Sequence, residues 1–286
     1  MRVEVVTDSG ASIRPEDKEA KEYNVTIVPL NITFFEDGQP KSYDDLEFTP
    51  WEFYRKMRQS KELPQTSGAV IGKIAKIYEE LSRKTDSIIS IQVTSKHSVA
   101  WESALQGAEM TQAKIPELSI EVIDSKQISL GTWFLAELAA KLSQEGASLE
   151  EIKNEVLITI PKIQLYAVLS TLDNIIKGGR IPTLTGYLGK ALKIMPVLGV
   201  IDGEIKDVGK VRSVEKARRE MVKRVEGEEK EIVRMAILHT NDPEAAGEVR
   251  EALAEFYKGE IPTYEAGPVL GVHAGEGAVG VAFQRA

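Results

Sequence analysis

Small hydroxyl residues, one histidine and one arginine stand in glycine-rich surroundings in this sequence. Thr66 and Ser67 occur in PQTSG, Ser95 follows an apolar run, Arg180 occurs in KGGRIP, and His273 occurs in GPVLGVHAGEG. Hydroxyls, a helix N-terminus and an imidazole can together hold a carboxylate or a phosphate by charge-assisted hydrogen bonds. No general-base pair or metal-ligand spacing accompanies these residues. The pattern therefore favours binding of an anion over cleavage of a bond.

Each of these residues also has a structural interpretation. Thr66, Ser67 and Ser95 could each cap the helix that follows them in the chain. Arg180, which follows two glycines, could lie at a helix C-terminus and complement the helix dipole. His273 could be a hydrogen-bonded core histidine. The residue types alone leave the structural and the functional interpretations open.

The composition excludes several classes of site. The 286 residues contain no cysteine, which excludes disulfides, thiol nucleophiles, thiolate zinc sites and iron–sulfur clusters. The three histidines lie far apart in sequence, and we assign His97 and His239 to packing. A net charge of −8 argues against a nucleic-acid partner, and 42% hydrophobic residues suffice for a large core.

Tests for common enzyme signatures fail. The sequence contains neither a G-x-S-x-G nucleophile elbow nor H-E-x-x-H. TGYLGKA (185–191) ends its glycine pattern in Gly-Lys, but the earlier glycine stands too close for a phosphate-binding loop. GEGAVG (275–280) matches G-x-G-x-x-G, yet only six residues follow it, and a dinucleotide fold needs a further helix and strand. These glycines are better explained by close backbone approach or positive φ.

The first half of the chain alternates strand and helix patterns, which must position the candidate residues. Strand patterns lie at 3–7, 25–35, 87–93 and 118–124, and helical patterns lie at 15–23, 49–60, 70–83, 98–112 and 129–145. This alternation predicts a parallel sheet with helical crossovers. The polar triplets TDS (7–9), VTS (93–95) and IDS (123–125) follow three of the strands. Ligands bind at such strand ends in open parallel sheets.

The second half has a different pattern. A helix at 148–160 leads to Pro161, so we predict an N-terminal α/β domain over 1–160 and a C-terminal α+β domain over 161–286. The latter should hold a mixed or antiparallel sheet that includes a hairpin at 194–212 with Asp-Gly at its turn. No signal peptide and no run of about 18 apolar residues is visible, so we expect a cytoplasmic protein without stable membrane insertion.

Eight motifs, taken in order along essentially the whole chain, resemble the DegV family, bacterial proteins that bind a fatty acid between two α/β domains. Each motif is weak alone, but eight in order with fitting spacing are specific. The motifs are VTDSGAS (6–12), PLNITFFEDG (29–38), LPQTSGA (63–69), VTSKHSVAWESA (93–104), VIDS (122–125), KGGRI (177–181), GKVR (209–212) and GPVLGVHAGEGAVG (267–280).

The resemblance implies a fold and a function. It implies a long-chain fatty acid such as palmitate in a tunnel between the domains, with no further cofactor. It implies a non-catalytic subunit of a fatty acid kinase, whose separate ATP-binding subunit phosphorylates the carboxylate for phospholipid synthesis. The matching positions imply that the carboxylate is bound by Thr66, Ser67, Ser95 and His273. They imply that Arg180 and Gly275 support the site or face the partner.

The sequence departs from the family pattern at several positions near the expected head group. His97, Val99 and Ala100 stand where the family has a leucine and a Gly-Thr pair. Glu276 stands where the family has a proline, and its carboxylate would raise the pKa of His273 if it lay close to the ring.

Two other functions compete with the lipid-binding interpretation. One is a self-contained small-molecule kinase or hydrolase that uses Ser95 and His273. The other is a regulatory or structural two-domain protein with an incidental pocket. Fatty acid that co-purifies with the chain would favour the first interpretation, whereas ATP turnover without an added protein would favour a self-contained enzyme.

Overall fold

The structure is a computed structural model that describes residues 2–181 and 194–286, and the Gly-Lys motif at 185–191 lies outside them. The helices in these residues are α1 (Lys18–Tyr23), α2 (Pro50–Gln59), α3 (Ile71–Leu81), α4 (Ala100–Gln112), α5 (Leu130–Gln144), α6 (Leu149–Thr159), α7 (Asp173–Lys177), α8 (Val214–Glu226), α9 (Pro243–Ala254) and α10 (Pro268–Ala274). The strands are β1 (Glu4–Asp8), β2 (Thr26–Val28), β3 (Asn31–Glu36), β4 (Gln39–Asp44), β5 (Gln65–Ser67), β6 (Ser87–Gln92), β7 (Ser119–Asp124), β8 (Ile163–Val168), β9 (Met195–Ile201), β10 (Glu204–Val211), β11 (Ile232–His239), β12 (Thr263–Glu265) and β13 (Val279–Arg285).

The first sheet is parallel, as the alternation of strands and helices predicts. Its strand order is β2-β1-β6-β7, and each neighbouring pair runs in the same direction. Its central strands, β1 and β6, are buried almost throughout because both faces of the sheet are covered. Val6 and Ile88 face a cluster with Tyr78 of α3, while Val5 and Ile89 on the other face pack into the core around α5. The fold is therefore α/β in this half.

The strand predicted over 25–35 is two strands in different sheets. It divides at Pro29, which has no backbone N–H to donate to a sheet ladder. The N–H of Leu30 donates to Ser9 Oγ and to Asp45 Oδ1, both at 3.0 Å, instead of to a strand. The chain then turns into β3, the centre of a three-stranded antiparallel sheet with the order β4-β3-β5. The sequence pattern did not predict β4 and β5, because β4 is polar and mostly exposed and β5 has only three residues.

The six-stranded sheet of the C-terminal half, called the second sheet below, is mixed, as predicted. Its order is β10-β9-β8-β13-β11-β12, and its described pairs are antiparallel except for β11 with β12. The predicted hairpin is β9–β10, whose turn residues Asp202 and Gly203 both have positive φ. Because side chains alternate along a strand, Val168 and Val197 pack under α8 and α9 while Leu165 and Val200 face the opposite way.

Helix α5 lies between the two sheets. It contacts β1 and β6 of the first sheet and β8 and β13 of the second. Trp133 and Phe134 are buried in one cluster with Leu165 and Leu238, so a helix with mostly buried side chains becomes the shared core. The boundary between residues 160 and 161 stays a prediction, since side chains before and after it join this cluster. Among the described residues, no helix is long and apolar enough to cross a membrane.

Two buried carboxyl groups lie at the end of β1. Asp8 accepts hydrogen bonds from the N–H groups of Gly10 and Val93, both at 2.8 Å, and burial raises its pKa to about 6. Burial raises the pKa of Asp45 to about 7, and its Oδ2 has no hydrogen-bond partner in the described part of the chain. Both groups hold a proton more tightly in the folded chain than in the unfolded one. The free energy of unfolding should therefore be largest below pH 4 with respect to these groups, and fall as the pH rises to about 7.

We expect Asp45→Asn to weaken this pH dependence, because an amide does not ionise. The wild-type free energy of unfolding should fall by more than about 1.4 kcal/mol, the equivalent of one pKa unit, between pH 4.5 and 7.5. Urea unfolding at four pH values measures the fall. Asp37→Asn, at an exposed hairpin turn, is the matched control and should keep the wild-type slope. An equal slope in Asp45→Asn and wild type would show that the buried carboxyl does not titrate in this range.

Candidate functional site

A cavity of about 580 Å³ lies between the two halves of the chain. This volume is typical of sites that enclose a small organic ligand, which span roughly 300–1,000 Å³. Most of the cavity wall is apolar, and it is built by strand ends and loops of the first half together with the inner face of the second sheet. Representative wall residues are Leu30, Val93, Ile128, Leu165, Leu198 and Leu238.

Five of the six predicted site residues line this cavity. They come from β5, from the turn after β6, from the segment after α7 and from α10, and they are Thr66, Ser67, Ser95, Arg180 and His273. The sixth residue, Gly275, does not line the cavity. It ends α10 with a φ of +69°, and Gly277 follows with a φ of +81°, so these glycines permit the positive φ that the sequence predicts for GEGAVG. The roles of all six residues in binding stay predictions.

A hydrogen bond joins Thr66 and His273 across the two halves of the chain. Strand β5 pairs with β3 and places Thr66 Oγ1 2.8 Å from His273 Nε2. Burial, together with the charge of Arg180 and the ring of His97, lowers the pKa of His273 to about 4, so the ring is neutral at pH 7. Its buried Nδ1 has no partner among the described residues.

The position of the remaining proton on His273 follows from that unpaired nitrogen. A buried acceptor without a partner is tolerated better than a buried N–H donor without one. The proton therefore belongs on Nε2, which donates to Thr66 Oγ1. The hydroxyl hydrogen of Thr66 is then free to point into the cavity. In this arrangement His273 orients a donor and supplies no charge.

Glu276 does not raise the pKa of His273. Its carboxylate is bound by the guanidinium of Arg58 and accepts a hydrogen bond from Asn241 Nδ2 at 2.7 Å. The pKa of His273 is lowered, and Glu276 has no part in that change. The effect that the sequence predicts for a close carboxylate is therefore not realised.

The helix-capping interpretation of the hydroxyl residues is wrong. Helix α3 begins after Val70 and helix α4 begins after Val99, so neither Thr66 nor Ser95 occupies an N-cap position. Thr66 and its neighbour Ser67 lie instead in β5. Their positions in the chain are thus not explained by the start of a helix.

Ser95 is bound to a carboxylate that the sequence did not single out as a site residue. Its Oγ donates to Asp124 Oδ2 at 2.6 Å, and Asp124 Oδ1 also accepts from the N–H of Lys126 at 2.9 Å. The contact forms because β6 and β7 are adjacent and parallel, which brings the ends of VTS and IDS together. The sequence predicted this meeting of strand ends. The hydroxyl of Ser95 must break its hydrogen bond to Asp124 before it can donate to a ligand.

Arg180 lies near the end of α7, as its structural interpretation predicts, and it also lines the cavity. Its guanidinium donates to the carbonyl of Gly178 at the end of α7, at 2.8 Å, and to the carbonyl of Thr66 at 3.3 Å. It is exposed at the rim of the cavity. The glycines before it allow close approach, since a Cβ on Gly178 would lie 2.7 Å from His273 Nδ1.

The sequence assigns His97 and His239 to packing, but both line the cavity, and His97 also contacts the Arg180 backbone and affects the pKa of His273. The available signal was the departure of His97 from the leucine of the family pattern.

Comparisons with known proteins give a consistent result. The model of the DegV family, described as "Uncharacterised protein, DegV family", matches residues 2–286. A DegV domain-containing protein of Caldanaerobacter subterraneus is 35% identical, over 99% of each chain. Among solved structures, DegV from Bacillus subtilis, a fatty acid binding protein, is 29% identical with a TM-score of 0.87 over 100% of each chain. A DegV family protein from Ruminococcus gnavus, solved with vaccenic acid, is 26% identical with a TM-score of 0.84, over 98% of this chain and 99% of that one.

We expect His273 to stay neutral, with its proton on Nε2, throughout the range from pH 6 to 8. Nitrogen-15 NMR of the histidine rings, assigned with His273→Gln, reports both the tautomer and the titration. The ring should titrate near pH 4, and Arg180→Ala should raise that value because it removes a repelling charge. A wild-type midpoint near 6.5, the ordinary value for histidine, would contradict the burial argument.

Proposed function

The chain belongs to the DegV family, and on this basis we propose that it holds a long-chain fatty acid in the cavity and presents the carboxylate to a separate ATP-dependent kinase subunit. The observation that carries the proposal is the composition of the cavity wall. Apolar side chains form most of it, Thr66 and Ser95 add hydroxyls, and Thr66 is hydrogen-bonded to His273. That combination matches an amphipathic acid better than a sugar or a nucleotide.

The apolar wall supplies the main driving force for binding in this proposal. Burial of a 16-carbon chain removes about 15 methylene or methyl groups from water, at roughly 0.8 kcal/mol each. The gross gain is on the order of 12 kcal/mol before the costs of ordering the chain and losing its free motion. A fatty acid can therefore bind tightly even if its head group contributes little.

The head group needs hydrogen-bond donors, since an unpaired carboxylate is very unfavourable in a buried site. Thr66 can donate at once, because its oxygen already accepts from His273. Ser95 can donate only after its hydroxyl breaks the hydrogen bond to Asp124, so the net contribution of Ser95 to affinity should be smaller. We therefore expect Thr66 to bind the carboxylate more strongly than Ser95. Ser67 lines the same part of the cavity and is exposed.

The kinase part of the proposal rests on the family resemblance and on Arg180. Two backbone carbonyls orient the guanidinium of Arg180 at the rim of the cavity, while its side chain stays exposed. An arginine in such a position suits recognition of a phosphate or of a partner surface. The proposed product is an acyl phosphate formed by the partner subunit for phospholipid synthesis.

The hydrogen bonds do not favour the competing enzyme. Ser95 is bonded to Asp124 and His273 is bonded to Thr66, whereas a serine nucleophile needs the histidine as its own partner. These contacts favour a site that holds an anion.

We expect one fatty acid per chain after purification, since the apolar wall should retain the acyl tail. Denaturing extraction and mass spectrometry measure the amount and the chain length. The delipidated chain should bind palmitate in calorimetry, and Thr66→Val should weaken that binding about tenfold or more, because a hydrogen bond to a charged group contributes about 1.5–3 kcal/mol.

Thr33→Val is the matched control for this measurement. Thr33 lies on the neighbouring strand β3, bonds to Ser42 at 2.7 Å and does not line the cavity, so its loss should leave palmitate affinity unchanged. A chain that neither carries lipid nor binds palmitate would refute the carrier. ATP turnover by the pure chain would favour the self-contained enzyme.

We expect Arg180→Ala to lower partner-dependent acyl-phosphate formation at least tenfold, and to lower palmitate affinity much less. The reason is that Arg180 is exposed at the rim, whereas the acyl tail contacts the apolar wall. The assay combines the lipid-loaded chain, ATP and the ATP-binding subunit of the same organism. Arg83→Ala, another exposed arginine, is the control. If Arg180→Ala lost lipid and phosphorylation in equal measure, Arg180 would belong to the lipid site instead.

A further inference from the structure

The ring of His97 makes a hydrogen bond through each of its nitrogens. Nε2 accepts from the backbone N–H of Ile205 at 2.9 Å, and Nδ1 lies 3.0 Å from the carbonyl oxygen of Arg180. A backbone N–H can only donate, so Nε2 carries no proton. The neutral ring therefore has its proton on Nδ1, which donates to Arg180. Geometry alone defines this tautomer.

Both partners of His97 belong to the second half of the chain, whereas His97 lies in the turn between β6 and α4. Thr94 of the same turn donates to the carbonyl of Gly203 at 3.0 Å, at the tip of the β9–β10 hairpin. The turn thus holds the hairpin at two points and the Arg180 segment at a third. Arg180 in turn donates to the carbonyl of Thr66. All of the residues in this set of contacts except Gly203 line the cavity: Thr66, Thr94, His97, Arg180 and Ile205.

We propose that His97 is a positioning residue that fastens the β9–β10 hairpin and the Arg180 segment against the first half, and so slows the exit of a bound acyl chain. This inference rests on the proposed function only for its ligand. An acyl chain held between the two halves should leave more slowly while contacts between them are intact. His97 supplies two of those contacts, and a leucine at the same position would supply neither.

Protonation of His97 should release the hairpin. A proton on Nε2 would face the N–H of Ile205, so two donors would oppose each other. Burial lowers the pKa of His97 below its ordinary value, and this effect outweighs the hydrogen bond to the Arg180 carbonyl and the Glu204 carboxylate on β10, which both raise it. Among the described residues, His273 also interacts electrostatically with the ring, whereas Arg180 contacts it through its backbone carbonyl. The fastening should therefore hold at neutral pH and weaken at acidic pH.

The test follows the release of cis-parinaric acid from the preloaded full chain into phosphatidylcholine vesicles at pH 7.5 and 5. The wild-type rate should rise several-fold at pH 5. His97→Gln, whose amide can accept from Ile205 but does not titrate, should lose most of that rise. His97→Leu should release fast at both values. Thr94→Val is the matched control: it removes a hairpin contact that does not titrate, so release should be faster while the ratio between the two pH values is kept.

The fatty acid carboxyl, Asp8 and His273 also titrate on the acidic side. They are present in both the wild type and His97→Gln, so the difference between these two proteins reports on His97 alone. Equal release rates and equal pH ratios in wild type and the His97 variants would overturn the inference. Hydrogen exchange of the Ile205 amide, measured without ligand at pH 7.5, gives a second readout. The Ile205 amide should be protected in wild type and His97→Gln, and it should exchange at least tenfold faster in His97→Leu. Equal exchange in all three proteins would overturn the inference. If the wild type holds no acyl chain, the proposed function fails, and this exchange still decides whether His97 fastens the hairpin.

Discussion

The hydrogen bond between Thr66 and His273 connects segments that are 207 residues apart, and the chemistry of the cavity depends on it. Burial keeps the ring neutral, and the unpaired Nδ1 places its proton on the nitrogen that faces Thr66. A short edge strand, β5, and a seven-residue helix, α10, thereby present one hydroxyl hydrogen to an apolar space. Without this contact the threonine would lose its orientation and the histidine would be a buried polar group with neither nitrogen satisfied.

The cavity itself is a consequence of how the two sheets share α5. The helix fills the space between them along part of their length, and its apolar side chains join both cores. Beyond the helix the inner face of the second sheet continues, and Leu165 and Leu198 face open space. An apolar surface of this kind is unfavourable in water and favourable around an acyl chain. The fold therefore provides an apolar space that suits the tail of the proposed ligand, while the loops at the strand ends provide the polar groups.

The polar groups near the cavity are mostly held by one another or by backbone atoms. Ser95 donates to Asp124, Arg180 donates to two carbonyls, and His97 bonds to backbone groups at both nitrogens. Such contacts define the position of each side chain before any ligand arrives, which lowers the cost of ordering them on binding. The contacts also leave the three side chains in different states. The hydroxyl hydrogen of Thr66 is free, the hydroxyl of Ser95 must first break its bond to Asp124, and the side chain of Arg180 stays exposed.

The sequence by itself determined most of the regular elements and five of the residues that line the cavity. Apolar periodicity predicted the parallel sheet, turn chemistry predicted the hairpin at Asp202–Gly203, and polar triplets predicted strand ends that meet. These features depend on neighbours in the chain, which a sequence displays. Only the tertiary structure decided that residues 25–35 divide between two sheets, that Ser95 bonds to Asp124, that His273 is neutral, and that His97 reaches Arg180 and Ile205. Each of these depends on burial and on partners that are distant in sequence, and local pattern carries no information about either.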